Sequence, residues 1–142
     1  MTAMRRDVIF VSGSAYHLVN RFMNELRTVP YLDSKVNHFI AMDIDGVIRN
    51  YGTDKMIFIE SKCRLAMPTF PEQTMLDFIN KTMCLNPNFM GVFLVQHQRE
   101  TLDDGYMKLS ILRSGEWKPI LSGSTDQLNK DNVFKFVKNI LT

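Results

Sequence analysis

A compact α/β or α+β sandwich follows from three features of the sequence. Amphipathic stretches with apolar residues at helical spacing are interspersed with short β-branched apolar runs, in the order helix, two or three strands, helix, strand, hairpin, helix. The segments are divided by compact turn signals, with no internal repeat, low-complexity tract or linker. At 142 residues the chain suits one domain, residues 1–142, large enough to bury a core without staples.

The elements can be justified in order. Residues 15–28 read as a helix with Leu18, Val19, Phe22, Met23 and Leu26 as its apolar stripe, Ser12 or Ser14 as N-cap and Val29-Pro30 as its stop. His17, Arg21 and Glu25 line one flank of that stripe, where Arg21 and Glu25 read either as a surface ion pair or as support for a site. Residues 37–50 are extended, as two strand segments or one long bent strand. Tyr51-Gly52-Thr53-Asp54 carries the Gly and Asp of a reversal, and Met56 to Lys62 forms the returning strand. After a turn with small residues and two prolines, Thr69-Phe70-Pro71-Glu72 is a capping-box pattern, opening a helix with Met75, Leu76, Ile79 and Met83 on one face. Asn86-Pro87-Asn88 ends it. Gly91 to Val95 is a short apolar run suited to a buried central strand, and Tyr106–Arg113 with Trp117–Leu121 reads as a hairpin across Ser114-Gly115-Glu116. Ser124-Thr125-Asp126-Gln127 begins a terminal helical region that packs Val133, Phe134, Val137, Ile140 and Leu141 on the sheet. Gly123 and its serines lack the Gly-Lys-Ser/Thr of a phosphate loop, so a helix cap is the better reading.

Composition narrows the function classes. A hydrophobic fraction of 45%, a charged fraction of 23% and a net charge of +2 are those of an ordinary globular protein, and give no global field for a polyanion. Cys63 and Cys84 have neither the number nor the spacing of a disulfide framework or zinc site, which points to a reducing, cytoplasmic setting. Arg5-Arg6 before Val8-Ile9-Phe10-Val11 is too short an apolar run for a secretion signal, and no later run approaches membrane-spanning length. The ten methionines read as core filler.

The chemistry lies in Asp43-Ile44-Asp45-Gly46-Val47-Ile48-Arg49-Asn50 and Met56-Ile57-Phe58-Ile59-Glu60-Ser61-Lys62. If residues 51–54 are the loop, Asn50 faces Lys55, Asp45 lies opposite Glu60 and Asp43 opposite Lys62. Facing residues have Cβ atoms roughly 4.5 to 5.5 Å apart, near enough for two carboxylates to share a cation. Glu60 and Lys62 point to the same face. A solvated, alternately charged strand is the bland alternative. Against it, Ile57, Phe58 and Ile59 suit a strand covered on both faces, where unpaired charges cost several kcal/mol, and adjacent carboxylates repel unless a cation or proton intervenes. This constellation suits metal-dependent phosphodiester hydrolysis.

Helix, an Asp ahead of a hydrophobic strand, an apolar strand ending in Glu-x-Lys, then helix and strand: over residues 12–97 the chain resembles the PD-(D/E)XK nuclease superfamily. Asp45 matches the motif aspartate and Ile59-Glu60-Ser61-Lys62 the (D/E)-x-K strand; no proline precedes Asp45. The resemblance implies a restriction-endonuclease-like central mixed sheet flanked by helices. It further implies Mg²⁺ or Mn²⁺ held by Asp45, Glu60 and the Ser61 carbonyl, with Lys62 orienting or deprotonating the attacking water. His17, Glu25, Asp43 and Gln73 are supporting candidates, the first two for the glutamate that many members carry on their first helix, Gln73 for the glutamine some relatives place before the second. The implied activity is that of a small phage or mobile-element nuclease or junction resolvase, acting on duplex, single-stranded or branched DNA with no membrane partner and with a homodimer left open. A rival resemblance is to haloacid dehalogenase-type phosphatases, through Phe39 to Val47, with Asp43 as nucleophile, Asp45 as general acid/base and Asp103-Asp104-Gly105 as a later acidic motif. It leaves Glu60 and Lys62 without a role. A third class is a nuclease-like domain that only binds nucleic acid or protein.

Overall fold

In a computed structural model the chain divides into two compact units, residues 1–42 and 43–142. The structure describes Arg21 and Glu25 of the first unit, and residues 44–99 and 105–142 of the second. His17, Asp43, the extended stretch before residue 44 and the Asp103-Asp104 pair lie outside the described residues, as does the rest of the helix expected over 15–28. Arg21 and Glu25 are both helical, and Arg21 Nε donates to Glu25 Oε1 at 3.2 Å as an exposed i, i+4 pair.

Among its described residues the second unit is α/β, with a five-stranded mixed sheet and two helices. Its elements are β1 (Gly46–Arg49), β2 (Met56–Lys62), α1 (Phe70–Met83), β3 (Phe89–His97), β4 (Met107–Arg113), β5 (Glu116–Ile120) and α2 (Lys130–Leu141). The strands lie side by side in chain order. The single parallel pairing, β2 with β3, is the one that the intervening helix α1 requires, and the other three are antiparallel.

Strand alternation divides the core between two faces. Ile57, Phe93, Val95, Leu109 and Ile111 cluster with Val133 and Leu141 of α2. The alternate residues Glu60, Val92, Leu94 and Leu112 are also buried, on the side where α1 buries Leu76 completely. Both helices start on a reciprocal capping box. Thr69 and Glu72 form the one predicted for α1, and Asn129 with Asn132 forms that of α2. The turn between β1 and β2 is pinned from outside, because Asn50 Nδ2 and Thr53 Oγ1 both donate to the Leu141 carbonyl at the end of α2, at 2.7 and 2.8 Å.

Several boundaries differ from the sequence reading. β3 runs from Phe89 to His97 rather than from Gly91 to Val95, because Met56 pairs with Phe89 and Ile57 with Gly91, which makes Met90 an extra residue. Gly91 takes φ +132 there, and a Cβ on it would sit 3.0 Å from Ile111 Cδ1, so the glycine marks a bulge and a close approach, not the strand's start. The β4–β5 reversal uses only Ser114 (φ 51) and Gly115 (φ 78), both left-handed, which frees Glu116 to pair with Arg113. Finally, α2 begins at Lys130 and not near Ser124. β5 ends opposite Leu109, and Leu128 exchanges backbone hydrogen bonds with Met107 at 2.7 and 2.8 Å, so residues before the cap complete the sheet instead of winding into helix. Among the described residues no helix is long and apolar enough to cross a membrane.

Candidate active site

The predicted hairpin register is observed from Gly46 to Lys55, while the Asp43–Lys62 pair lies outside the described residues. Gly46 pairs with Ile59 and Arg49 with Met56, and the Asn50 amide donates to the Lys55 carbonyl at 2.9 Å. One step beyond Gly46, β1 stops. The Ser61 amide, which has no ladder partner on β1 among the described residues, donates to Asp45 Oδ2 at 2.8 Å. An extended residue sends its N–H and C=O to the same side, so the Ser61 carbonyl points to the same strand edge as its amide. Asp45 itself is exposed, whereas the nearby Glu60 is only 3% exposed.

Lys62 lies two residues along from Glu60 on the same face. Its ammonium is 3.8 Å from Glu60 Oε1 but 2.8 Å from both carboxylate oxygens of Glu72, in the first turn of α1. Glu72 Oε1 also accepts the Thr69 amide at 2.9 Å. Glu72 is the site residue that the sequence reading missed: it figured there only as a helix cap, and nothing in a capping-box pattern says that the same carboxylate will reach a lysine ten residues earlier.

The charges of this cluster do not balance. Three carboxylates against one ammonium leave two negative charges when all are ionised. Burial, followed by the neighbouring Asp45 charge, pushes the Glu60 carboxyl up to about 7; Lys62 opposes the rise and Glu72 adds to it. For Glu72, burial also resists ionisation, but hydrogen bonds from Lys62 and Thr69 outweigh it and hold the carboxyl down at about 2. Glu60 Oε2 is buried and finds no hydrogen-bond donor among the described residues. A buried carboxylate oxygen without a donor is costly, and a cation or a proton relieves it.

Among the described residues no three His, Cys, Asp or Glu side chains form a complete metal cage. Mg²⁺ does not require one, since it characteristically retains several waters and takes one or two protein carboxylates. The orphaned Glu60 oxygen, the nearby Asp45 carboxylate and the Ser61 carbonyl are hard oxygen donors of the kind that ion takes.

The turn after Lys62 is strained and clamped. Arg64 and Leu65, neither of them glycine, both take φ 55. Gln96, buried next to Lys62 on β3, donates to the Leu65 and Ala66 carbonyls at 3.0 Å each, and the Leu65 amide donates to the His97 carbonyl at 2.9 Å. These contacts fix the exit of β2 and so the base of the Lys62 side chain. Ser61 Oγ, on the opposite face, lies 2.7 Å from His97 Nε2, and burial lowers the His97 pKa. That face borders a largely apolar cavity of about 540 Å³ lined by Ile59, Val95, Met107, Val133 and Val137.

The other supporting candidates are placed as follows. Gln73 is engaged away from Lys62: its Oε1 accepts from Trp117 Nε1 at 2.7 Å, and its Nε2 donates to Asp77 at 3.2 Å. Glu25 is paired with Arg21 in the first unit. Compared with protein-family models, curated proteins and solved structures, the chain matches none. The functional reading therefore rests on the site alone.

Proposed function

We propose that the chain is a restriction-endonuclease-like, PD-(D/E)XK-type nuclease that hydrolyses phosphodiester bonds in DNA with Mg²⁺ or Mn²⁺. The observation that carries the reading is at the open end of the β1–β2 hairpin, where Asp45, held by the Ser61 amide, lies near the buried Glu60 with its unbonded oxygen, and Lys62 stands two residues along from Glu60 on the same sheet face. A structural ion pair accounts for this poorly, because Lys62 is nearer to Glu72 than to Glu60 and leaves Glu60 Oε2 without a donor.

Asp45, Glu60 and the Ser61 carbonyl would hold the cation. When bound, it supplies Lewis acidity toward a phosphate oxygen and makes a nearby water more acidic. Lys62 orients the attacking water and offsets charge that builds on the phosphorane-like transition state, a task suited to a compact point charge. The Ser61 amide fixes the Asp45 carboxylate, and the Gln96 clamp fixes the strand end from which Lys62 projects. The phosphatase alternative gives Glu60, Lys62 and Glu72 no task.

Incubation of the protein with supercoiled, linear, single-stranded and branched DNA tests the proposal. Cleavage of at least one substrate with Mg²⁺ or Mn²⁺, stopped by chelator and poorly supported by Ca²⁺, is the expected result. Undiminished cleavage in excess chelator overturns the two-carboxylate mechanism.

A further inference from the structure

We infer that Glu72 is a positioning residue of this site, gripping the Lys62 ammonium through both carboxylate oxygens and so setting where that charge meets substrate. The inference rests on the nuclease reading above and adds a residue from outside the Asp45–Lys62 motif.

The helix cap does not require this contact. Thr69 and Glu72 satisfy one another's backbone amides with one oxygen each, and Glu72 Oε2 is no part of that exchange. Yet Lys62 Nζ is equidistant, at 2.8 Å, from both oxygens. The carboxylate is presented by a rigid element, the first turn of a 14-residue helix seated on the fully buried Leu76. Both side chains are 22% exposed, so the ion pair is not sealed inside the core.

Two consequences follow from the distances. Lysine has four rotatable side-chain bonds, and an ungripped ammonium samples many positions. Misplacement of a reacting group by about 1 Å costs on the order of 10²-fold in rate. Moreover, among the described residues Glu60 is a second acid within reach of Lys62, at 3.8 Å. Without Glu72 the ammonium closes on Glu60 and competes with the cation for that carboxylate. Glu72 thus holds Lys62 in place and also holds it off Glu60.

The test is Glu72→Gln, which keeps an oxygen to accept the Thr69 amide but loses the anionic grip, beside Thr69→Ala, which weakens the cap and leaves the grip. Glu72→Gln is expected to lower kcat by roughly 10- to 100-fold at unchanged KM for DNA, and to raise the Mg²⁺ concentration needed for half-maximal rate. In a Lys62→Ala background it should lower kcat no further, and Thr69→Ala should retain wild-type kcat per folded molecule. Full kcat in Glu72→Gln, an equal loss in the Lys62→Ala background, or the same loss in Thr69→Ala overturns the positioning role. Lysine-ammonium NMR spectra read the contact independently of activity, and the Lys62 signal should broaden into solvent exchange in Glu72→Gln alone. A wild-type protein that shows this held signal but cleaves no DNA would instead overturn the nuclease reading, and with it any effect of the grip on catalysis.

Discussion

Glu60→Gln should make the protein more stable at alkaline pH while removing its activity. In the folded chain the Glu60 carboxyl is raised from 4.5 to about 7, first by burial and then by Asp45. Such a rise corresponds to roughly 3 kcal/mol. The sign is fixed by which state holds the proton. Below about pH 4.5 both folded and unfolded chains carry it, and no penalty exists. Between 4.5 and about 7 the unfolded chain ionises first, so stability falls as pH rises, and above about 7 the penalty is complete. Glutamine has the same shape and no charge to bury. In chelator at pH 8 the variant should therefore exceed wild type by up to about 3 kcal/mol, on the order of 10 °C in Tm for a domain of this size. Near pH 4.5 the two should converge. Thermal or urea unfolding followed by the fluorescence of the single tryptophan, Trp117, reads this directly. Mg²⁺ at pH 8 should narrow the gap by stabilising wild type alone. A gap that is the same at pH 5 and pH 8, or a variant less stable than wild type at pH 8, refutes the claim that an ionised Glu60 is held in the fold at a cost.

Further predictions concern residues around the cluster. Gln73→Ala should remove the hydrogen bond to Trp117, shift the indole emission and cost about 1 kcal/mol, yet leave turnover within about twofold; a loss near 10² would give Gln73 a direct part in the site. His97 should titrate below 6.5 by imidazole NMR, because burial disfavours its cation. Its contribution to stability is present above 6.5 and declines as pH falls, opposite in sense to that of Glu60, and an ordinary His midpoint would contradict the burial. Gln96→Ala should free the clamped turn after Lys62, with about 1 to 3 kcal/mol lost and faster amide exchange at Leu65; unchanged exchange would mean that the clamp is not what holds the turn.

The second unit was legible in the sequence wherever local chemistry decides structure. Tyr51 to Asp54 fixed the hairpin register, because a loop of that length sets Asn50 against Lys55 and Gly46 against Ile59, one step short of Asp45 and Glu60. Thr69 and Glu72 announced α1 because a capping box is a contact between residues three apart. Contacts made across the fold left no such trace. The bond from Lys62 to Glu72, the Gln96 clamp and the engagement of Gln73 by Trp117 each join residues brought together only when α1 and β3 pack beside β2, or β5 beneath α1. The start of α2 was misplaced for a related reason: Ser124 to Gln127 is a fair helix start taken alone, and only the vacant partner position at Met107 draws Leu128 into the sheet. Glu60 lay between the two cases. Its apolar neighbours foretold burial, but its unbonded oxygen depends on Lys62 turning to Glu72 instead.

The most direct measurement for the central claim is the single-turnover rate of wild type, Asp45→Asn, Glu60→Gln and Lys62→Ala on DNA with Mg²⁺, run beside hydrolysis of a small phosphomonoester, with circular dichroism confirming that each variant is folded. A nuclease site predicts DNA cleavage by wild type and a loss of roughly 10² or more in each variant without a matching loss of DNA affinity, since these groups act chiefly in the transition state. Phosphomonoester turnover that is abolished by Asp43→Asn but survives Lys62→Ala intact would contradict the account and favour a phosphatase with Asp43 as its nucleophile.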